Sequence, residues 1–243
     1  MNPVLSERLP RRAECEVFDR HAGRYDAWFD SRNGRTLFDS EVRCLCKLAC
    51  GRPRPWLEIG VGTGRFAEAL GVDTGVDPAG GALEYAARRG IRVMLSSGET
   101  LPFASGEFGT AFMVATLCFA RDPFALLCEA RRILRPGGCT VVGIIPAGSP
   151  WGQHYRSIAS TGHLFYSQAR FFTLEQLDRL ARKAGFMLAR SASTLYSQPG
   201  CESHESELPR EGRDESAGFV ALEYRVSCDP AERTVGRAAS GSC

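Results

Sequence analysis

A glycine-rich turn that directly follows a short apolar run constrains this chain more than any other feature. Residues 56–66 read Trp-Leu-Glu-Ile-Gly-Val-Gly-Thr-Gly-Arg-Phe, which places three alternating glycines between a predicted buried strand and a predicted helix. Glycine lets the backbone turn tightly and approach a ligand closely, and the N–H groups at the start of a helix point outward. A nucleotide-like ligand at the carboxyl end of the first strand is the usual occupant of such a turn.

The spacing of these glycines argues against a dinucleotide as the ligand. Gly60, Gly62 and Gly64 are spaced by two and two positions, whereas dinucleotide sites have the pattern Gly-x-Gly-x-x-Gly. The position that would carry the third glycine of that pattern is Arg65. A tight turn without a ligand is the alternative interpretation, but glycines beside a strand end usually mark a close approach of the backbone.

Two acidic residues accompany the turn. Glu58 lies two positions before the first glycine, where a dinucleotide needs no acid and a positively charged ligand would favour one. Asp77 ends the next apolar run, and a carboxylate there can accept hydrogen bonds from both hydroxyls of a ribose. The turn and the two acids together predict a site for a ribose-containing ligand that carries a positive charge.

Apolar runs alternate with helical patterns from residue 55 onward, which predicts a parallel sheet with helices on both faces. The first five predicted strands are 56–59, 72–76, 91–95, 110–115 and 140–145. Two later strands, predicted over 186–195 and 219–227, have no helix between them and can pair antiparallel through a long polar loop.

Helix boundaries are marked by capping residues. Asp122 followed by Pro123 predicts a helix start, and the glycines at 137 and 138 predict its end. The sequence Thr-Leu-Glu-Gln at 173–176 is a capping box, and Gly185 predicts the end of that second helix.

The ends of the chain differ in pattern from its middle. Residues 1–50 carry scattered apolar positions that predict two or three helices, and residues 229–243 have the composition of a disordered tail. We therefore expect a helical lid in 1–50, a main domain in 51–228 and a tail in 229–243.

The composition excludes several classes of partner. With 30 basic and 28 acidic residues, the charge gives no case for nucleic acid or an anionic membrane. Neither a signal-peptide core nor a membrane-spanning apolar run is present, so we expect a cytoplasmic protein with reduced thiols. The ten cysteines include no Cys-x-x-Cys pair, so no metal is expected, and Cys44, Cys46 and Cys50 are expected to pack in the core rather than bind a soft metal.

Several motifs together resemble the type 11 subgroup of class I methyltransferases, which use S-adenosylmethionine. Residues 58–64 are similar to motif I, and Gly-Val-Asp-Pro at 75–78 resembles the ribose-binding motif. Glu-Thr-Leu-Pro-Phe at 99–103 is similar to the stretch that closes over adenine, and Leu-Arg-Pro-Gly-Gly at 134–138 matches the turn before the fifth strand. The region 18–29 resembles the N-terminal helix that covers the cofactor.

The resemblance implies a doubly wound α/β fold. Its sheet would be Rossmann-like and mostly parallel, with seven strands, an antiparallel last strand and an N-terminal helical lid. The resemblance also implies methyl transfer from S-adenosylmethionine. The residues that it implies for cofactor binding are Tyr25, Glu58, Gly60, Gly62, Gly64, Asp77, Pro78, Ser97, Gly98, Glu99 and Thr116.

One position departs from the family pattern. The family usually has an aspartate four residues before the leucine of Leu-Pro-Phe, where it accepts a hydrogen bond from the adenine amino group. This chain has Ser97 there. A neutral hydrogen bond is about half as strong as a charge-assisted one, so Glu99 or a backbone carbonyl is expected to assist.

Residues 146–172 are expected to form a cap on the acceptor side of the cofactor. Because the cofactor carries the activated methyl group, no obligatory catalytic residue follows. An acceptor that must lose a proton needs a base, for which His154, His163 and Tyr166 are candidates, and packing or surface roles are the alternative. The aromatic residues of the cap line an apolar acceptor pocket or form ordinary core.

The acceptor is expected to be a small molecule. Residues 114–119, Val-Ala-Thr-Leu-Cys-Phe, lack the Asp/Asn-Pro-Pro-Tyr signature of amino methylation on bases and the Pro-Cys nucleophile of cytosine methylation. Cys118 is therefore expected to be core. Two other functions stay open at this point, namely a non-catalytic regulator that binds S-adenosylmethionine or S-adenosylhomocysteine, and a dinucleotide-linked reductase.

Overall fold

The sheet of this protein has eight strands, seen in a computed structural model that describes residues 13–201 and 204–226. The strands are β1 (Trp56–Ile59), β2 (Thr74–Asp77), β3 (Arg92–Leu95), β4 (Phe108–Val114), β5 (Leu134–Ile144), β6 (Phe186–Thr194), β7 (Arg210–Glu211) and β8 (Phe219–Val226). Their order across the sheet is β3-β2-β1-β4-β5-β8-β6-β7. β2 and β3 lie on one side of β1, and the chain then crosses to β4 on the other side of β1. At such a reversal of strand order a crevice opens beside the carboxyl end of the strand.

Helices cover both faces of the sheet, as the alternating pattern predicted. The helices are α1 (Ala13–Trp28), α2 (Arg32–Ala49), α3 (Arg65–Leu70), α4 (Gly80–Arg88), α5 (Pro123–Ile133), α6 (Pro150–Ser160) and α7 (Leu174–Lys183), with a 3₁₀ turn at Tyr166–Gln168. One core cluster joins the sheet to α5 and α7, and another joins it to α2, α3 and α4. The doubly wound fold is therefore confirmed.

The late strands pair as predicted. β8 lies between β5 and β6 and runs antiparallel to both. The sheet has an eighth strand that the prediction of seven did not include, because Arg210–Glu211 is only two residues long and has no apolar alternation. It bonds to β6 at Ala192 and Ser193 alone.

The predicted helix caps are also confirmed. The Asp122 side chain accepts hydrogen bonds from the N–H groups of Phe124 and Ala125, both at 3.0 Å, and the Thr173 capping box is complete. β5 begins at Leu134, six residues before the predicted start. The residues 135–138 lie between two registers of the pairing with β4, so an irregular turn sits inside the strand instead of before it.

Two helices precede the sheet. α1 is irregular at His21 and packs against α4, whereas α2 packs against β6 and β8. Residues 1–12 and the predicted tail lie outside the described residues, and the proposed division into lid, main domain and tail stays a prediction. No helix within 13–201 or 204–226 is long and apolar enough to cross a membrane.

The cysteine prediction for α2 was only partly right. Cys44 is fully buried, but Cys46 and Cys50 are exposed. The buried face of α2 carries Leu37, Cys44 and Leu48, and a side chain two positions from Cys44 points to the other side of the helix. Cys118, predicted to be core, is half-buried and lies in the wall of a cavity described below. Its thiol donates to the Ala115 carbonyl at 3.1 Å.

Candidate functional site

The glycine turn after β1 is shaped by close contacts. Gly60 has a φ of +75°, and a Cβ built on it would lie 2.3 Å from the Thr116 side chain. That side chain is fixed, because its hydroxyl donates to the Ile59 carbonyl at 3.0 Å. Gly64 lies against α4, where an added Cβ would come within 2.8 Å of the Ala86 backbone. Neither position tolerates a larger side chain without displacement of the backbone.

Gly62 differs from its neighbours because it faces open space. Its φ is +51°, and a Cβ built there would meet nothing within 4 Å. The Gly62 N–H donates to Oδ2 of Asp77 at 2.9 Å. This glycine therefore forms part of a floor over which a ligand can lie against bare backbone.

Asp77 connects the turns that follow β1 and β2. Besides the Gly62 bond, its Oδ1 accepts from the Ala79 N–H at 2.8 Å. Burial raises the pKa of Asp77 to about 6, although both backbone hydrogen bonds oppose that shift. Each carboxylate oxygen retains a lone pair for a further donor, so Asp77 can hold the turns and still accept from a ligand hydroxyl.

Glu58 lies beneath this floor. Its side chain is buried, and its Oε2 has no hydrogen-bond partner among the described residues. Burial and the nearby Asp77 raise the pKa of Glu58 well above its usual value. Glu58 and Gly64 do not reach the wall of the cavity above the turn, so their role in cofactor binding stays a prediction.

The first cavity, of about 180 Å³, opens over the glycine turn. It brings together residues from the carboxyl ends of β1, β2, β3 and β4, which are remote in sequence. Its wall contains nine of the eleven residues predicted to bind the cofactor: Tyr25, Gly60, Gly62, Asp77, Pro78, Ser97, Gly98, Glu99 and Thr116.

Ser97 and Glu99 form one hydrogen-bonded unit in this wall. The Ser97 hydroxyl donates to Oε2 of Glu99, and Oε1 of Glu99 accepts from the N–H groups of Arg121 and Asp122 at 2.9 and 3.3 Å. Burial opposes ionisation of Glu99, but these hydrogen bonds outweigh it and hold the pKa of Glu99 below its usual value. The negative charge that the family resemblance implies at position 97 sits at Glu99 instead. The serine oxygen accepts from the Glu99 N–H at 3.3 Å and keeps one lone pair for a further donor.

Ion pairs and a hydrogen bond hold helix α1 against α3 and α4, beside the first cavity. Arg65, at the start of α3, donates to both carboxylate oxygens of Asp26 at 2.9 and 2.8 Å. Arg89 adds a bond to Asp26 at 3.0 Å, and the Gly81 N–H donates to Asp19 at 2.6 Å. The arginine that breaks the dinucleotide pattern thus anchors the N-terminal helix.

A second cavity, of about 400 Å³, lies between α1, α2, α6 and the 3₁₀ turn. Its wall is mostly aromatic, and Tyr155 packs against Tyr166 with ring centroids 4.5 Å apart. All three predicted base candidates, His154, His163 and Tyr166, lie in this wall. His163 accepts a hydrogen bond from the Phe165 N–H at 3.3 Å, and burial raises the pKa of Tyr166 well above its usual value.

The two cavities share part of their walls. Phe18 and Tyr25 of α1, together with Ala115 and Phe119 after β4, belong to both. Ala115 has a φ of +50°, an uncommon conformation for a residue with a side chain. Two ligands, one in each cavity, would therefore meet at this junction.

Sequence reasoning missed Glu41, Asn33 and His204, which all lie in the second wall. Glu41 carried a usable signal, because it lies four residues after Leu37 and four before Leu45 on the buried face of α2. A carboxylate on an apolar helix face marks a site where charge is either paired or functional. His204 had no such signal, since it lies in an irregular segment.

The chain is similar to known methyltransferases. The model of the type 11 methyltransferase domain matches residues 57–142, the range that contains the glycine turn, Asp77 and the Ser97–Glu99 unit. A crystal structure of an S-adenosylmethionine-dependent methyltransferase from Thermotoga maritima, described as a possible histamine N-methyltransferase, superimposes with a TM-score of 0.81. It is 37% identical and covers 88% of this chain and 100% of its own.

Two uncharacterised proteins are similar to most of this chain. One, from Mycobacterium tuberculosis strain H37Rv, is 44% identical over 203 residues, or 84% of this chain and 71% of that protein. The other, from Methanocaldococcus jannaschii, is 34% identical over 207 residues, or 85% of this chain and 97% of that protein. With the glycine turn, the acid after β2 and the sheet order, these likenesses show that the chain belongs to the type 11 family of class I methyltransferases and uses S-adenosylmethionine.

Proposed function

We propose that this enzyme transfers the methyl group of S-adenosylmethionine to a small molecule bound in the second cavity, by in-line displacement. The observation that supports this proposal is the shared wall of the two cavities at Phe18, Tyr25, Ala115 and Phe119. In-line transfer needs donor and acceptor to meet at one point with water excluded, and an aromatic junction supplies that environment.

Residues of the first cavity fit the donor. S-adenosylmethionine supplies an electrophilic methyl group on a sulfonium when it is bound. The free lone pairs of Asp77 suit ribose hydroxyls, the Ser97–Glu99 unit suits the adenine amino group, and Gly62 leaves room for the ligand to lie on the backbone. Each of these assignments rests on the contacts described above and on the family resemblance.

The second cavity suits an acceptor with an apolar or aromatic body. Its volume falls in the range of small-molecule pockets, and the Thermotoga maritima relative is described as a possible histamine N-methyltransferase. Among the base candidates, the raised pKa of Tyr166 disfavours proton removal by its phenolate. Tyr166 is better suited to orient an acceptor, whereas His154 and His163 are proposed as proton acceptors for oxygen nucleophiles.

Asp77 provides the test of the donor site. We expect Asp77→Ala to weaken S-adenosylhomocysteine binding by about 2–3 kcal/mol, the scale of hydrogen bonds to a charged group. Calorimetric titration measures this loss, and Asp77→Asn, which keeps one acceptor oxygen for the Gly62 N–H, should lose less. Asp73→Ala is the matched control, because Asp73 is exposed and pairs with Arg54 outside both cavities.

Two results of that experiment would contradict the proposal. One is unchanged affinity in a folded Asp77→Ala variant. The other is binding of NADH in place of S-adenosylhomocysteine by the unaltered protein. Release of S-adenosylhomocysteine during incubation with a panel of small amines, phenols and thiols, followed by mass spectrometry, then tests the transfer itself.

The Ser97–Glu99 unit makes a separate prediction. Ser97→Ala and Glu99→Gln should each weaken S-adenosylhomocysteine binding about tenfold, a typical effect of losing one hydrogen bond. The double variant should also be about tenfold weaker, because the two side chains act as one unit. Thr100→Ala, at the exposed neighbouring position, should bind normally. Additive losses of about a hundredfold, or no loss in either single variant, would show that the two side chains do not act together on adenine.

A further inference from the structure

Glu41 is the one carboxylate in the wall of the second cavity among the described residues. It lies on α2, the helix that packs against β6 and β8, and burial alone raises its pKa, to about 8. No described residue donates a hydrogen bond to it or forms an ion pair with it. A carboxylate that is taken out of water is costly unless a partner compensates it, so the protein leaves an acceptor group unmatched at this point.

A second unmatched acceptor lies on the same helix. The Oδ1 atom of Asn33 is buried and has no hydrogen-bond partner, and Asn33 lines the same cavity. Buried polar atoms without partners are rare in folded proteins. The buried Asn33 oxygen and the half-buried Glu41 carboxylate are thus two acceptors in the wall of one cavity, and together they indicate a ligand that brings hydrogen-bond donors.

The tyrosines of this wall are suited to a cation. Tyr25, Tyr155 and Tyr166 lie close enough to Glu41 for its charge to raise the pKa of each phenol. The faces of aromatic rings attract cations, most strongly where water is excluded. The pattern of aromatic rings around a single carboxylate is therefore complementary to a desolvated ammonium group.

We propose that the methyl acceptor is an amine whose cationic nitrogen binds at Glu41, with its apolar or aromatic body among the rings of the second cavity. The inference rests on the function proposed above and names the substrate class of that site. An alcohol or a thiol would leave the carboxylate without a positive partner. A carboxylic acid would add a second negative charge beside it, so all three classes fit the cavity less well.

Glu41 then also receives the proton that must leave the nitrogen before transfer. The ammonium proton moves to the carboxylate, and the freed nitrogen lone pair forms the new bond to the methyl carbon while the carbon–sulfur bond breaks and leaves its electron pair on sulfur. The products are a methylated ammonium, neutral S-adenosylhomocysteine and one proton, which Glu41 passes to water. The raised pKa of Glu41 makes it a stronger proton acceptor than an exposed carboxylate.

The test uses phenyltrimethylammonium, a cation that cannot titrate or be methylated, and the complex of the protein with S-adenosylhomocysteine. Binding of this cation requires an ionised Glu41, so at pH 7 the unaltered protein should release close to one proton on binding. Calorimetry in two buffers of different ionisation enthalpy measures that release. The affinity should rise about tenfold per pH unit up to about pH 8 and then level off.

Two variants on one helix make the comparison specific. Glu41→Gln should bind the cation at least tenfold more weakly at pH 8.5 and should release no proton, whereas Asp39→Asn should behave as the unaltered protein, since Asp39 is exposed on the same helix. Other titratable or charged groups also face the cavity or Glu41. Any proton release or cation binding that is due to them would persist in Glu41→Gln. These groups are Arg24, Tyr25, Cys44, Cys118, His154, Tyr155, His163, Tyr166, Cys201 and His204.

The outcomes separate this inference from the proposed function. S-adenosylhomocysteine is titrated first in every variant, and a failure at that step would reject the donor site and not the amine. Normal S-adenosylhomocysteine binding followed by no binding of phenyltrimethylammonium at millimolar concentration would overturn the amine. Equal cation affinity and equal proton release in Glu41→Gln would also overturn it, because the cation would then bind elsewhere.

Discussion

Gly62→Val is expected to abolish binding of S-adenosylhomocysteine, with a loss of affinity of more than a hundredfold. Two effects act together at this position. The φ of +51° is strained for any residue with a Cβ and more so for a β-branched one. The new side chain would also fill the open space above the turn, where the ligand is expected to lie. Calorimetric titration of the purified variant measures the loss.

A matched glycine separates strain from obstruction. Gly106 has a φ of +70°, and a Cβ built on it also meets nothing within 4 Å, but it is absent from the walls of both cavities. Gly106→Val should therefore lose a similar amount of stability in thermal unfolding and keep its affinity. A Gly62→Val protein that binds as tightly as Gly106→Val would contradict the assignment of the turn.

Glu41→Gln is expected to stabilise the folded protein by about 4 kcal/mol at pH 8, an estimate from linkage between proton binding and folding. Burial raises the pKa of Glu41 from 4.5 to about 8, so the folded state holds a proton that the unfolded chain has already released. The free energy of unfolding of the unaltered protein should therefore fall as the pH rises from about 4.5 to about 8. Glutamine has the same shape and stays neutral, which removes that loss.

Urea unfolding at several pH values tests this prediction. The difference between Glu41→Gln and the unaltered protein should shrink to about 1 kcal/mol at pH 5, and Asp39→Asn should follow the unaltered protein throughout. Parallel curves for Glu41→Gln and the unaltered protein would mean that Glu41 is not desolvated. A loss of stability in Glu41→Gln at pH 8 would mean that an ionised Glu41 is paired in solution. If both variants unfold as expected, the enzyme has retained a destabilising carboxylate at its proposed acceptor site, as binding sites often do.

The donor side of the site could be predicted from the sequence because most of its parts lie at the carboxyl ends of predicted strands. The turn at 58–64 and Asp77 follow adjacent strands, and parallel strands bring their carboxyl ends to one edge. Nine of the eleven predicted residues consequently line one cavity. In the sequence, Arg65 shows only that the dinucleotide pattern is broken. Its contact with Asp26 in α1 depends on packing that no local pattern encodes.

The acceptor side could be predicted only in part, for a physical reason. Its wall is assembled from α1, α2, α6 and the segment near His204, which approach each other only when the sheet has formed. The histidines of α6 and the turn after it were identified because they follow β5 directly. Glu41 was missed because helical spacing shows that it faces the interior, but not that the interior at that point is a cavity.

The helix α1 has a further consequence for how the two ligands depend on each other. It supplies Phe18 and Tyr25 to both cavities, and the Asp26 ion pairs with Arg65 and Arg89 hold it in place. If both ligands need α1 in the position that these ion pairs hold, each ligand also stabilises that position for the other. Thermodynamic reciprocity then requires that each increases the affinity of the protein for the other by the same factor. The ion pairs of Asp26 with Arg65 and Arg89 would then contribute to the cooperativity between donor and acceptor.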